Sequence, residues 1–366
     1  MILERISILG YKNIEQAELT FSPKLNCFIG NNGMGKTNLL DAVYYLSFCK
    51  SHNNQVDSQN IKHDADFALI QGYYLLGGAA EEEFFCSLRR RQKKQFKRNK
   101  KEYEKLSDHI GCLPLVMVSP SDSDLITGGS EERRKFMDVV LSQFDKDYLH
   151  ALIRYNKALQ QRNALLKSDM QADDSLYELW EEQLAYEGHI IYAKRKAFIE
   201  QFIPTFQYYY NFICQSNETV ELKYESQLED ENQVALLKQK RERDKILGYT
   251  TAGIHRDDLD MRMDDYSIKK VGSQGQNKTY VVAMKLAQFD FLKKAGSTTP
   301  ILLLDDIFDK LDSTRVEQIV KLVSEDNFGQ IFITDTNRDH LDEILKDLNS
   351  DYSLYQVEGG GINQLK

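Results

Sequence analysis

The sequence predicts an α/β fold: a phosphate-binding head of mixed β-sheets, interrupted by one inserted, all-helical arm domain. Three observations carry that prediction. Residues 30–37 read Gly-Asn-Asn-Gly-Met-Gly-Lys-Thr, between a short apolar run at 25–29 and helical spacing at 38–46. Residues 301–306 read Ile-Leu-Leu-Leu-Asp-Asp, a buried-strand pattern ending in two acids. Between them, from Ser130 to about Lys245, the pattern is helical and rich in Leu, Ala, Gln, Lys and Glu. The head is therefore expected in two pieces, 1–129 and 246–366, around an arm at 130–245.

Taken in order, 2–9 and 16–29 read as strands, with turn residues at Asn13 and Pro23. Residues 30–37 match the G-x-x-x-x-G-K-[ST] form. Gly30, Gly33 and Gly35 let the backbone wrap closely, so that N–H groups of the loop, Asn31, Asn32 and Met34 included, point at phosphate oxygens. Lys36 supplies charge to the β/γ-phosphates, and the Thr37 hydroxyl suits Mg²⁺. Strand, loop and helix together put the anion at a helix N-terminus, where the peptide dipoles favour it. A polar stretch, 50–66, leads to strands at 67–76 and 83–91, then to an apolar run at 113–118 closed by Ser119-Pro120. Ser130 reads as a helix N-cap, with Glu131 and Glu132 in the first turn. The arm holds one proline, Pro204, and its charges read as solvated faces. After Gly248 the β-type pattern returns, and 301–304 suits a central parallel strand. No internal repeat is visible.

Composition narrows the classes. Hydrophobic residues at 42% and charged residues at 28% describe an ordinary globular chain. No apolar run approaches membrane-spanning length, and Met1 to Arg5 open a strand rather than a signal peptide, so no membrane association is expected. Cys27, Cys49, Cys86, Cys112 and Cys214 are scattered without a C-x-x-C pair, which argues against zinc and disulfides and fits a reducing cytoplasm. A net charge of −9 gives no global attraction to nucleic acid, so such binding requires a local patch.

The two acids complete a nucleotide site. Asp305 suits Mg²⁺, held directly or through water, because hard oxygen ligands at a strand's C-terminal edge face the phosphate loop. Asp306 is placed to orient or deprotonate an attacking water. Upstream, Ser273-Gln274-Gly275-Gln276 precedes helical spacing at 277–294. That string resembles the signature motif of ABC-type ATPases. The resemblance implies that Ser273 and Gly275, with Gln276 beside them, contact the γ-phosphate of ATP held by an opposite subunit. Leu311-Asp312 matches the D-loop of that superfamily, and Phe332-Ile333-Thr334-Asp335-Thr336 ends the next strand at the usual γ-phosphate sensor, with Thr334 or Thr336 in place of histidine.

From Lys36 to Ser273 is 237 residues, more than transporter ATPase subunits place there. The arm, about 115 residues, is too short for the coiled coils of SMC-like tethers and carries no hook cysteines. Over nearly its whole length the chain closely resembles the RecF family of bacterial recombination-repair ATPases. The matching segments are Tyr11-Lys12-Asn13-Ile14, GNNGMGKTNLLDAVYYL, and Ser119-Pro120 with Asp124-Leu125-Ile126. Arg133-Arg134-Lys135-Phe136-Met137-Asp138, Gly253-Ile254-His255-Arg256-Asp257-Asp258-Leu259, SQGQ and LLLDDIFDKLD complete the set.

The resemblance implies an ABC-type head with a helical arm, ATP and Mg²⁺ as cofactors, an ATP-dependent homodimer, weak hydrolysis, and nucleotide contacts from Lys12 and Asn13. It further implies binding to DNA (gapped, double- or single-stranded) in cooperation with RecO and RecR, helping load RecA and supporting the SOS response. Lys12 and Asn53 stand where the family pattern has arginine, and Asp309-Lys310 replaces a more typical Ser-Glu. Because Arg and Lys differ at stacked or bidentate sites, contacts from Lys12 are expected to be altered. The rival classes are an SMC-like structural tether and a transporter-type ATPase subunit.

Residues 89–101 carry nine cations: Arg89, Arg90, Arg91, Lys93, Lys94, Lys97, Arg98, Lys100 and Lys101, with Phe96 interleaved. Arg98-Asn99-Lys100 reads as a hairpin tip. The segment suits sequence-independent DNA contact; the alternative is an edge hairpin whose lysines prevent aggregation. Arg133, Arg134 and Arg256 suit either ligand contact or pairing with carboxylates in the fold.

Overall fold

The structure is a computed structural model that describes residues 1–77, 80–168, 173–215, 218–229, 232–309, 311–324, 327–336 and 352–366. In chain order it opens with β1 (Ile2–Tyr11), β2 (Ile14–Thr20), β3 (Leu25–Ile29), α1 (Lys36–Phe48), β4 (Phe67–Leu75), β5 (Glu81–Arg89), β6 (Gln95–Arg98), β7 (Lys101–Glu102) and β8 (Leu115–Val118). Next come α2 (Asp124–Thr127), α3 (Ser130–Phe144), α4 (Lys146–Lys167), α5 (Asp174–Cys214), β9 (Val220–Glu225), α6 (Gln233–Leu247), β10 (Asp258–Met263), β11 (Tyr266–Ser267) and α7 (Ile268–Val271). The remainder is α8 (Gln274–Ala295), β12 (Ile301–Asp305), α9 (Ser313–Ser324), β13 (Ile331–Asp335), β14 (Tyr352–Glu358) and β15 (Gly361–Gln364). The departure at Lys310 lies outside the described residues.

Two compact units emerge: Met1–Ser123 with Tyr209–Gln215 and Ser273–Lys366, and Asp124–Tyr208 with Ser216–Gly272. The first holds two sheets. One is antiparallel in the order β2-β1-β4-β5-β6-β7. The other runs β15-β14-β3-β13-β12-β8, parallel except for β15. The strands β3, β12 and β13 are buried at all five positions, and their mainly apolar sequences suit strands covered on both faces. Helix α1 contacts strands of both sheets, and its buried positions lie on every side, so no polar face is left to it. Buried Gln330 joins the sheets: its Oε1 accepts from the Leu3 N–H at 2.7 Å, and its Nε2 donates to the Leu3 carbonyl at 2.8 Å. Leu3 stands where β1 shifts register against β4, so its backbone groups take a side-chain partner.

The second unit is mostly helical, but it is not only helical. Val220, Leu222 and Tyr224 alternate with Glu221, Lys223 and Glu225, and that period-2 pattern forms β9 in an antiparallel sheet, β11-β10-β9. Because β10 pairs along its length with β9, residues 246–272 fall in this unit rather than in the head. Ser130 is the first residue of α3 and not its cap; Gly129 holds the N-cap position in extended conformation. Buried ion pairs occupy the interior. Arg162, fully buried, donates to Glu181 Oε1 at 3.0 Å and to Asp244 Oδ2 at 2.8 Å. Arg195 donates to Asp138 at 2.8 Å and to Asp257 at 3.0 Å.

Candidate nucleotide site and basic hairpin

The phosphate loop runs from the end of β3 into α1. Gly35, its last glycine, is at φ 114°, and a Cβ there would sit 2.8 Å from the Asn13 side-chain amide, so only glycine fits. Gly33, at φ 80°, has no atom within 4 Å of the position a Cβ would take, so there it is the left-handed backbone and not crowding that favours glycine. Lys36 is buried, and its ammonium donates to the carbonyls of Gly30 at 2.7 Å and Asn31 at 3.2 Å. The charge is thereby held over the loop's own backbone.

The register β12–β13–β3 brings the second half of the site to the first. Asp305 pairs with Thr334 across β12–β13, and Thr334 pairs with Phe28 across β13–β3. Thr37 Oγ1 lies 3.0 and 2.9 Å from the two carboxylate oxygens of Asp305 and donates to them. The Thr334 hydroxyl donates to Asp305 Oδ1 at 2.7 Å and accepts the Asp306 N–H at 3.1 Å. Asp306 has φ 46°, a strained value for a non-glycine residue, and its Oδ1 is buried without a hydrogen-bond partner. Burial pushes both carboxyls above their usual range; Thr334, Thr37 and Lys36 pull Asp305 back, and Lys36 pulls Asp306 back.

These atoms fit a nucleotide with Mg²⁺. One hydroxyl and one carboxylate converge as hard oxygen ligands beside the glycine loop, and Asp306 has an oxygen still to be satisfied. Among the described residues no cluster of three or more His, Cys, Asp or Glu is arranged for a metal. A cation held by Thr37 and Asp305 would therefore draw its remaining ligands from phosphate oxygens and water.

Ser273 caps α8 rather than extending it. Its hydroxyl accepts from the Gln276 N–H at 3.2 Å, and its own N–H donates to Gln276 Oε1 at 2.8 Å, a reciprocal capping box. Gln276 thus fixes the helix start, while Ser273 and Gln274 remain exposed. Lys285, further along α8, forms a 2.6 Å ion pair with Asp122, which also accepts the Ser119 N–H at 2.7 Å. That pair ties the helix to the Ser119-Pro120 turn. Lys12 and Asn13 are engaged with the protein: Lys12 Nζ is 2.5 Å from Asp41 Oδ2, and Asn13 bonds Met34 O at 3.2 Å and Asn38 Nδ2 at 2.7 Å.

The basic run spans the end of β5, the turn after it, β6 and the tip into β7. Asn99 and Lys100 have φ 49° and 68°, between the paired residues Arg98 and Lys101, which is the two-residue hairpin geometry that matches strand twist. Three of its nine cations serve the fold. Arg90 donates to four backbone carbonyls, Lys94 to Cys49 O at 2.6 Å and to Asp57, and Arg98 to Glu82. Lys97 lies 5.7 Å from the centre of the Phe85 ring. Arg89, Arg91, Lys93, Lys100 and Lys101 are exposed.

The family described as RecF/RecN/SMC N terminal domain matches residues 2–362. Over 365 residues the chain is 65% identical to the DNA replication and repair protein RecF of Bacteroides thetaiotaomicron, covering 100% of this chain and 99% of that relative. The chain belongs to the RecF family. Identity to the RecF protein of Porphyromonas gingivalis is 51% over 365 residues, with both chains fully covered. A solved structure of the recombination mediator protein RecF-ATP in the RecFOR pathway superposes with TM-score 0.89 at 28% identity, covering 100% of this chain and 98% of that one. An SMC head bound to the C-winged helix domain of ScpA, at 14% identity and TM-score 0.60, shares the fold.

Two strings that carried the RecF resemblance meet in the second unit. Arg133 grips Asp258 with a fork of 2.6 and 2.9 Å, and Arg134 donates to Asp257 O at 2.7 Å. Arg256 donates to Thr250 O at 3.0 Å. These arginines pair within the fold. Reading the sequence also missed Asp41, which accepts four donors, and Lys278, which donates to the Asp306 carbonyl at 3.2 Å. Asp41 did lie inside the phosphate-loop string; nothing local marks Lys278, which donates to carbonyls 28 and 31 residues away.

Proposed function

We propose that this RecF family member is an ATP-dependent DNA-binding protein of replication and recombinational repair, in which two copies close on two ATP molecules and hold DNA. The observation that carries the reading is the bond from Thr37 to Asp305, groups 268 residues apart in sequence. It joins the phosphate loop to a strand-end carboxylate, the pairing that phosphoryl-transfer sites use for Mg²⁺. The RecF-ATP relative supports ATP as the nucleotide.

In this reading Lys36 neutralises phosphate charge while loop N–H groups cradle the oxygens. Thr37 and Asp305 hold Mg²⁺, whose charge offsets that of the β- and γ-phosphates. Asp306 orients the attacking water and takes its proton as the bond between the γ-phosphorus and the bridging oxygen breaks, giving ADP and phosphate. Aspartate is one methylene shorter than glutamate, and its backbone is pinned by Thr334. Turnover is therefore slow, and ATP acts more as a clamp than as fuel. Ser273, Gly275 and Gln276, at an exposed helix N-terminus whose dipoles favour an anion, complete the site of the second copy.

DNA is held without base reading, through phosphates. The exposed cations of the 89–101 hairpin support that contact. The RecFOR pathway named for the RecF-ATP relative supports cooperation with RecO and RecR, and help in loading RecA at gapped DNA is part of the same proposal. Sedimentation of the full chain with and without ATP·Mg²⁺ tests the dimer. The mass should double with ATP in the parent and stay that of one chain in Ser273→Arg and Lys36→Ala. A parent that binds ATP yet remains a single chain overturns the clamp.

A further inference from the structure

Asp41 stands on α1 one turn after Thr37 and is fully buried. Its Oδ2 lies 2.6 Å from the Tyr11 hydroxyl, 2.7 Å from the Ser51 hydroxyl and 2.5 Å from the Lys12 ammonium, and accepts from all three. Its Oδ1 accepts the His52 backbone N–H at 2.7 Å. Four donors thus converge on one carboxylate, three of them on Oδ2, close to the number its lone pairs can take.

The donors belong to two segments: the end of β1 with the turn after it, and the loop after α1. The turn is strained, since Lys12 is at φ 50°, a conformation that costs a side-chain-bearing residue about 1–2 kcal/mol. Something outside the turn must hold it, and the bonds from Tyr11 and Lys12 to Asp41 do so. Asn13 adds its bonds to Met34 O and Asn38 on the loop itself. The Lys12 side chain is only 14% exposed, so a flexible four-carbon stem is confined to one arrangement. The same pairing neutralises the Asp41 carboxylate, which would otherwise stand as a bare negative charge one helical turn from a polyphosphate.

We propose that Asp41 is a positioning residue for the nucleotide: it fixes the Lys12 ammonium and the strained turn against the phosphate loop before ATP arrives. This rests on the ATP reading above. Two consequences separate it from a purely structural role. Losing Lys12 leaves an uncompensated buried anion beside the site; losing Asp41 frees Lys12 and the turn. Losing both removes the anion along with its partner, so the two penalties do not multiply.

The test is titration of the full-length chain with a fluorescent ATP analogue and Mg²⁺, for the parent, Lys12→Met, Asp41→Asn, the double variant and Lys36→Ala, beside thermal unfolding of each. Each single variant should weaken binding about tenfold, as for a charge-assisted hydrogen bond, and the double variant should be no weaker than either single one. Lys12→Arg, which keeps the charge and can grip a carboxylate, should stay within about threefold of the parent. Penalties that multiply to about a hundredfold, or a Lys12→Met protein within about twofold of the parent, overturn the inference. If Asp41→Asn does not fold, Lys12→Met and Lys12→Arg decide it alone. A parent that binds no better than Lys36→Ala overturns the ATP reading and this inference together. A parent that binds, with Lys36→Ala defective and both Asp41→Asn and Lys12→Met normal, overturns this inference and leaves the ATP reading standing.

Discussion

Thr334→Val isolates the hydroxyl that holds the two acids at the end of β12. The hydroxyl donates to Asp305 Oδ1 at 2.7 Å and accepts the Asp306 N–H at 3.1 Å, and Thr334 is fully buried, so water does not replace it. Losing a hydrogen bond to a carboxylate costs about 1.5–3 kcal/mol, and stranding the Asp306 N–H costs about 1–3 kcal/mol. Asp305 keeps both bonds to Thr37, which places the total near the lower half of that range, about 3 kcal/mol. At roughly 2–4 °C per kcal/mol for a domain of this size, Tm should fall by about 6–12 °C. Thr334→Ser keeps the hydroxyl and should lose about 1 kcal/mol, the worth of a buried methyl. Single-turnover ATP hydrolysis should slow in the valine variant more than ATP binding weakens, because Asp306 loses the bond that pins its strained backbone. Thermal unfolding and single-turnover assays of parent, Val and Ser variants check this. A valine protein that melts within about 2 °C of the parent, or a serine protein as damaged as the valine one, refutes the role given to Thr334.

Three further outcomes follow from the geometry. Arg162→Ala leaves Glu181 and Asp244 buried without that partner, and urea unfolding should show a loss of about 3–5 kcal/mol; a loss under about 1 kcal/mol contradicts it. His255 is pushed down to about 4 by burial, from an ordinary value of 6.5, so below pH 6.5 the unfolded chain takes up the proton first. Its contribution is therefore intact above about pH 6.5 and falls as pH drops toward 4, by about 3 kcal/mol in all, and His255→Gln should flatten that slope in pH-dependent unfolding. Replacing Arg91, Lys93, Lys100 and Lys101 with Gln should lower the salt dependence of duplex binding by about 0.9 in log–log slope for each phosphate the variant no longer neutralises. An unchanged slope would assign those cations to solubility instead.

Much of the nucleotide site is written locally. The loop glycines, Lys36, Thr37 and the Leu-Leu-Leu-Asp-Asp strand are short motifs whose chemistry depends on spacing alone, and the structure joins Thr37 to Asp305. The hairpin tip was legible for the same reason, since Asn99 tolerates the left-handed conformation that a two-residue turn demands. What stayed hidden depends on distant partners. Nine cations in thirteen residues give no sign that Glu82 and Asp57 claim Arg98 and Lys94. Arg133 and Asp258 stand 125 residues apart, so the purpose of either string appears only when they meet. Strand β9 is a different case. Its alternation of Val, Leu and Tyr with charged residues was visible, but six residues between long helical segments are easily absorbed into the helical pattern.

The most direct test of the ATP-closed clamp is DNA affinity. Fluorescence anisotropy with duplex, single-stranded and gapped DNA, each with and without ATP·Mg²⁺, should be run on the parent and on Ser273→Arg. Binding should tighten with ATP in the parent and show no ATP response in Ser273→Arg. Affinity that is unchanged by ATP, or a Ser273→Arg protein that responds to ATP as the parent does, would contradict it.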